Sequence, residues 1–66
     1  MKDMTVNLSN KLKMRRKQKG LTQLEVANKI GVSESYICQI ERGKMISIKK
    51  LDRLAKALGC EPKDLL

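Results

Sequence analysis

The sequence predicts an all-α fold, a compact bundle of five short helices, and three observations carry that prediction. Gly20, Gly31, Gly43, Gly59 and Pro62 punctuate the chain and leave five segments between them. Each segment carries helical signals, with cap residues at its start or apolar residues at helical spacing. The supply of core residues is aliphatic: one Tyr stands alone, with neither Phe nor Trp among 66 residues. Leu, Ile, Val, Ala and Met suit close helix packing, whereas strands favour aromatic and β-branched side chains. The length fits one domain spanning residues 1–66. A chain this short buries only about 60% of its unfolded surface, so the core is thin.

The first segment is expected to be helical from about Val6 to Lys19. Leu8 and Leu12 stand four apart on one face, Asn7 or Thr5 is the candidate cap, and Gly20 suits the position just past the end. The second opens on Thr22-Gln23-Leu24-Glu25, a capping box in which hydroxyl and carboxylate satisfy exposed N–H groups. Leu24, Ala27 and Ile30 give it an apolar face, and Gly31 ends it. The third starts at Ser33, a favoured N-cap, with Ile37 and Ile40 on its buried side and Gly43 as its stop. The fourth starts at Ser47 and carries Ile48, Leu51, Leu54, Ala55 and Leu58 as a stripe at helical spacing. The last is short, with Pro62 at a first helical position and Leu65 and Leu66 after it.

Charge narrows the partners. Fifteen Lys and Arg face seven Asp and Glu, a net +8, a field that attracts nucleic acid or an anionic membrane surface. Cys38 and Cys60 make neither a disulfide framework nor a Cys-x-x-Cys pair, and His is absent. A structural zinc site is therefore not expected. With no His, no Gly-rich phosphate loop and no paired carboxylates, the commonest general base is missing and an enzyme is not expected. No cofactor or small-molecule ligand is evident, and Met1, Met4, Met14 and Met45 form no stripe. No run approaches the roughly 18 apolar residues of a membrane span, and no signal peptide follows the basic N-terminus. The expectation is a cytoplasmic protein with no separate sensor or oligomerisation domain.

Between the second and third helices stand only Gly31 and Val32 before the Ser33 cap. So short a connection forces a sharp corner, and Gly31 can take the positive φ that the corner needs. Ala27 faces the crossing, where a small side chain lets the helices approach. Val26, Ile30, Val32, Ile37 and Ile40 close a small core between them. This is a helix-turn-helix arrangement over residues 23–42, whose second helix would enter a major groove by its N-terminal end.

These stretches, taken in order, resemble a known family. Leu12-Lys13, Arg16, Gly20 to Gln23, Ala27, Ile30 to Ser33, Tyr36-Ile37, Gln39 to Lys44 and Leu51 to Gly59 resemble the Cro/repressor-type (XRE-like, lambda-repressor-like) helix-turn-helix family. It includes phage repressors, many bacterial regulators and the controller proteins of restriction–modification systems. The resemblance covers about Leu8 to Leu66 and implies a five-helix bundle that binds double-stranded DNA. It implies that Gln23 meets a phosphate and sometimes a base, that Glu34, Ser35 and Gln39 reach base edges, and that Tyr36 lies beside the backbone or a thymine methyl. It further implies phosphate contacts for Arg42 and Lys44, and a partly buried ion pair between Arg16 and Glu41. The chemistry of the residues agrees. Gln can pair bidentately with adenine and Ser can bond several bases. The helix N-termini at Thr22 and Ser33 offer N–H groups to phosphate oxygens.

The sequence departs from the family at Arg15, where an aliphatic residue is usual. Either its stem covers the core with the charge in solvent, or Met14 substitutes. Ile46 stands where Pro is common, and Cys38 lies on the recognition helix, where partial exposure is expected. Cys60 reads as a small buried hydrophobe. Lys11, Lys13, Arg15, Lys17 and Lys19 are either a solvated face or a phosphate-facing one. The expected activity is that of a transcriptional regulator, a repressor binding a near-palindromic operator as a homodimer through apolar residues near Cys60, Leu65 and Leu66. The rivals are a restriction–modification controller that also activates, an antitoxin, and a protein-interaction or membrane-surface module. The caps and the Gly31 corner disfavour the last, because a membrane binder needs one continuous amphipathic helix.

Overall fold

The computed structural model describes residues 5–66; Met1 and Met4 lie outside that range. Four α-helices form: α1 Ser9–Gln18, α2 Gln23–Ile30, α3 Glu34–Glu41 and α4 Ile48–Leu58. Two two-residue strands, β1 Thr5–Val6 and β2 Ile46–Ser47, pair antiparallel with Thr5 opposite Ser47 and Val6 opposite Ile46.

The expected fifth α-helix is instead a single 3-10 turn, Pro62–Leu65. Its bonds run three residues back, from the Asp64 N–H to the Glu61 carbonyl (2.9 Å) and from the Leu66 N–H to the Lys63 carbonyl (3.3 Å). Short pieces of this length are where 3-10 helices typically occur. The expectation of a purely helical chain also fails at the start. Thr5 and Val6 are strand, so α1 begins at Ser9 and not at Val6. Neither Thr5 nor Asn7 holds the N-cap position, which is Leu8. Asn7 still acts there: its Oδ1 accepts from the Ser9 N–H (3.1 Å) and hydroxyl (2.9 Å).

The core is one cluster. Leu8 and Leu12 enter from the α1 side, Val26, Ala27 and Ile30 from α2, and Ile37 and Ile40 from α3. Leu51, Leu54, Ala55 and Leu58 of α4 close it, with Ile46 and Leu65 at its margins. Val6, Leu21, Val32, Tyr36, Ala57 and Cys60 are half-buried around it. Leu24 is not part of it, contrary to the expected apolar face, and is 49% exposed. It stands roughly 120° around the helix from Ile30, so Val26, adjacent to Ala27, fills the inward position in its place. Ile48, first in α4, is likewise exposed.

The C-terminal expectations divide. Leu65 is fully buried and Leu66 is 59% exposed, so Leu65 belongs to the core and cannot contribute to a docking surface. Arg15 keeps its charge at the surface, with Nη2 3.8 Å from Asp64 Oδ1. Met14 is exposed and does not substitute for the missing aliphatic residue. Arg53 of α4 donates from Nη2 to the Ile30 carbonyl (2.5 Å), which satisfies one of the carbonyls left over at the end of α2.

Candidate nucleic-acid interface

The corner between α2 and α3 is set by Gly31, whose φ of 74° and ψ of 36° lie in the left-handed region. A side chain there would be strained. The Val32 N–H then folds back to the Ala27 carbonyl (3.0 Å). Beyond it Ser33 is extended and its Oγ accepts from the Tyr36 N–H (3.1 Å), starting α3 in a fixed direction.

With Ile37 and Ile40 buried, α3 can face solvent only with its other residues. Glu34, Ser35 and Gln39 are exposed, and Tyr36 and Cys38 are half-buried. The N–H groups of Glu34 and Ser35 precede the first helical bond, so they remain available at the helix N-terminus. Arg42 and Lys44 follow α3 and are exposed, with the Lys44 N–H bonded to the Gln39 carbonyl (3.0 Å). The outward face of α3 and the cations beyond its end thus form one continuous surface.

The start of α2 is more tightly tied. The Thr22 Oγ1 accepts from the Glu25 N–H (3.0 Å), and the Glu25 Oε1 accepts from the Thr22 N–H (2.8 Å). Hydrogen bonds from the Thr22 backbone and hydroxyl hold the Glu25 carboxyl below the usual carboxylate range, with a smaller contribution from Lys29.

Arg16 and Glu41 sit behind this end. Arg16 Nε donates to Glu41 Oε2 (2.6 Å), Nη2 to Oε1 (3.0 Å), and Nη1 to the Leu21 carbonyl (2.9 Å). The side chains are 12% and 4% exposed. Burial pushes the Glu41 carboxyl up, but hydrogen bonds from Arg16 and Gln23 and the charges of Arg16 and Lys13 outweigh it and leave it below its ordinary value. The hydrogen bond to Glu41 raises Arg16, against the opposing effect of burial. The pair therefore stays ionised and joins α1, the α1–α2 loop and the end of α3.

Gln23 is placed differently from a free surface amide. It is half-buried and its Nε2 donates to Glu41 Oε1 (3.1 Å). Two further residues, which the sequence did not point to, bear on the α2–α3 corner or on α3 itself. Lys50 places its Nζ 5.8 Å from the centroid of the Tyr36 ring, within the range of a cation–π contact. Arg53 fixes the carbonyl that precedes the corner. Both come from α4, and no local pattern in the sequence links Lys50 to α3 or Arg53 to the end of α2.

Lys19 lies elsewhere. With Lys29 and Lys56 it borders a shallow open depression of about 310 Å³ between the ends of α1, α2 and α4, whose lining includes no α3 residue. Three helix C-termini converge there, and cations complement their dipoles. Among the described residues, no group of three or more His, Cys, Asp or Glu is placed to hold a metal ion. No helix there is long and apolar enough to cross a membrane.

Comparison with known proteins agrees with this geometry. The helix-turn-helix family profile matches residues 12–65. An uncharacterized HTH-type transcriptional regulator of Methanocaldococcus jannaschii is 41% identical over 59 residues, which cover 88% of this chain and 89% of that one. The restriction-modification controller protein C.AhdI from Aeromonas hydrophila superposes with a TM-score of 0.85 at 35% identity, over 92% of this chain and 94% of its own. SinR, a master regulator for biofilm formation solved in complex with DNA, superposes with a TM-score of 0.80 at 33% identity, over 88% and 95%.

Proposed function

The chain belongs to the helix-turn-helix family, and from that premise we propose that it is a sequence-specific regulator of transcription that reads double-stranded DNA with α3. One observation carries the reading. The outward face of α3, with Glu34, Ser35 and Gln39, stands free in solvent while buried Ile37 and Ile40 hold the helix rigidly to the core. A rigid helix with exposed amide, hydroxyl and carboxylate groups suits base edges in the major groove.

Each residue has a role in this reading. Gln39 pairs with a base, Ser35 adapts to several, and Glu34 accepts from a cytosine amine while repelling phosphates, so it discriminates more than it attracts. Tyr36 lies beside the backbone. Arg42, Lys44, Gln23 and the N–H groups following Thr22 and Ser33 meet phosphates, which set affinity and register and not sequence choice. Arg16 and Glu41 hold the frame.

The chain acts as a repressor and binds as a homodimer to a near-palindromic operator, with half-sites about 34 Å apart. Leu66 and the half-buried Cys60 supply the apolar surface for the dimer. A second reading, a restriction–modification controller that both activates and represses, is favoured by the near full-length match to C.AhdI. A reporter assay run in both directions separates the two.

Selection of bound duplexes from a random pool at two salt concentrations tests the main reading. A symmetric consensus that survives high salt supports it, and its half-site spacing gives the dimer geometry. Recovery of no consensus, with binding lost steeply as salt rises, would reduce the chain to a basic polyelectrolyte.

A further inference from the structure

We infer that Glu41 is a positioning residue for the DNA contact of Gln23: the Arg16–Glu41 pair fixes the Gln23 amide at the start of α2 so that its remaining N–H is presented to a phosphate oxygen. The inference rests on the DNA-binding reading above and goes beyond treating Arg16 and Glu41 as frame alone.

The hydrogen bonds carry the argument. An ionised carboxylate only accepts, with room for about four bonds on its two oxygens. Glu41 Oε2 receives Arg16 Nε at 2.6 Å, and Oε1 receives both Arg16 Nη2 at 3.0 Å and Gln23 Nε2 at 3.1 Å. An acceptor-only partner decides which end of the amide faces it. Gln23 must turn its NH₂ group to Glu41, because its carbonyl would repel a carboxylate. One N–H is then committed, and one N–H is left for a ligand that accepts.

Charge and entropy point the same way. A bare carboxylate one side chain from the DNA backbone would repel it, but here the guanidinium of Arg16 cancels that charge within hydrogen-bonding distance. A free Gln loses rotamer freedom when it is ordered. The tether makes that loss during folding, before DNA arrives, which is the general source of affinity by preorganisation. The same carboxylate therefore joins α1, the end of α3 and the first side chain of α2.

A double-mutant cycle on duplex affinity tests this, with the operator taken from the random-pool selection and every variant checked as folded. Gln23→Met removes the amide and keeps the length; Glu41→Met removes both acceptor oxygens and keeps the length. Each should weaken binding about tenfold, and the double variant also about tenfold, because both break one element. Lys44→Ala, outside the network, should instead multiply with Gln23→Met. A double variant weakened about hundredfold, the product of the single effects, overturns the inference.

If Glu41→Met does not fold, the Gln23 side-chain NH₂ resonances of the unmodified chain decide. One proton should be protected and unmoved by duplex while the other shifts. Loss of protection from both on adding duplex overturns the inference. Failure of the unmodified chain to bind any duplex overturns the functional reading, and this inference falls with it; duplex binding with multiplying effects overturns the inference alone.

Discussion

At the start of α2 every polar side chain of the first turn is bonded within the protein. Thr22 and Glu25 cap each other, and Gln23 is bonded to Glu41. At the start of α3 only Ser33 is engaged, while Glu34 and Ser35 stand in solvent. Both ends offer free backbone N–H groups, yet one is fixed and the other is free. A fixed end suits the uniform, sequence-independent phosphate backbone. A free end suits base edges, where side chains must discriminate. In the proposed function, the two helices of one corner divide placement from reading.

The strongest way to break this contrast is Glu41→Ala. It leaves Arg16 buried without its partner, and truncating one member of such a pair costs about 3–5 kcal/mol. A domain of this size has a total stability of only about 3–10 kcal/mol, so urea denaturation should show most of it gone. Acid makes the same break reversibly. Glu41 and Glu25 are both held below their ordinary value when folded. Their contribution is present above the ordinary glutamate value of about 4.3 and is lost as pH falls through the folded values. A midpoint of thermal unfolding unchanged between neutral pH and pH ~3 would count against that assignment.

Gln39→Ala probes the free end. It should cost about 1–3 kcal/mol of affinity on the cognate site and relax choice at one base pair. An equal loss on every duplex would make α3 a backbone binder too and erase the contrast. Thr22→Ala sharpens the comparison in stability. An N-cap is worth about 1 kcal/mol, and Thr22 should cost more than Ser33→Ala because its capping box loses the reciprocal geometry as well. The smallest effect is expected from Lys44→Ala, which should weaken all duplexes alike and flatten the salt dependence by about one unit.

What could be read from the sequence follows the range of each interaction. The α2–α3 corner was legible because its determinants are local: Thr22 to Glu25, Gly31, and Ser33 with Ile37 and Ile40. The stripe of α4 was legible for the same reason, except at Ile48, where the end of the helix leaves the side chain in water. Leu24 misled because three-residue spacing alone drifts around a helix. Val26, a neighbour of Ala27, was the better guide to the buried face. The Arg16–Glu41 pairing spans 25 residues, and no spacing rule reaches so far; only the family resemblance suggested it. The bond from Gln23 to Glu41 and the placement of Lys50 against Tyr36 depend on how whole helices pack, and nothing local announces either. Two-residue strands are too short to show alternation, so the β1–β2 pairing left no trace in the pattern.

That small ladder has a consequence for the order of folding. Pairing Thr5 with Ser47 closes a loop of about forty residues, and closing it costs entropy that two residue pairs repay only after the helices have docked. The corner, whose partners are near in sequence, is expected to assemble early and the ladder late. Ile46 is both a ladder partner and a core residue a few positions past α3. The segment carrying Arg42 and Lys44 therefore reaches its final direction only when β1 has met β2.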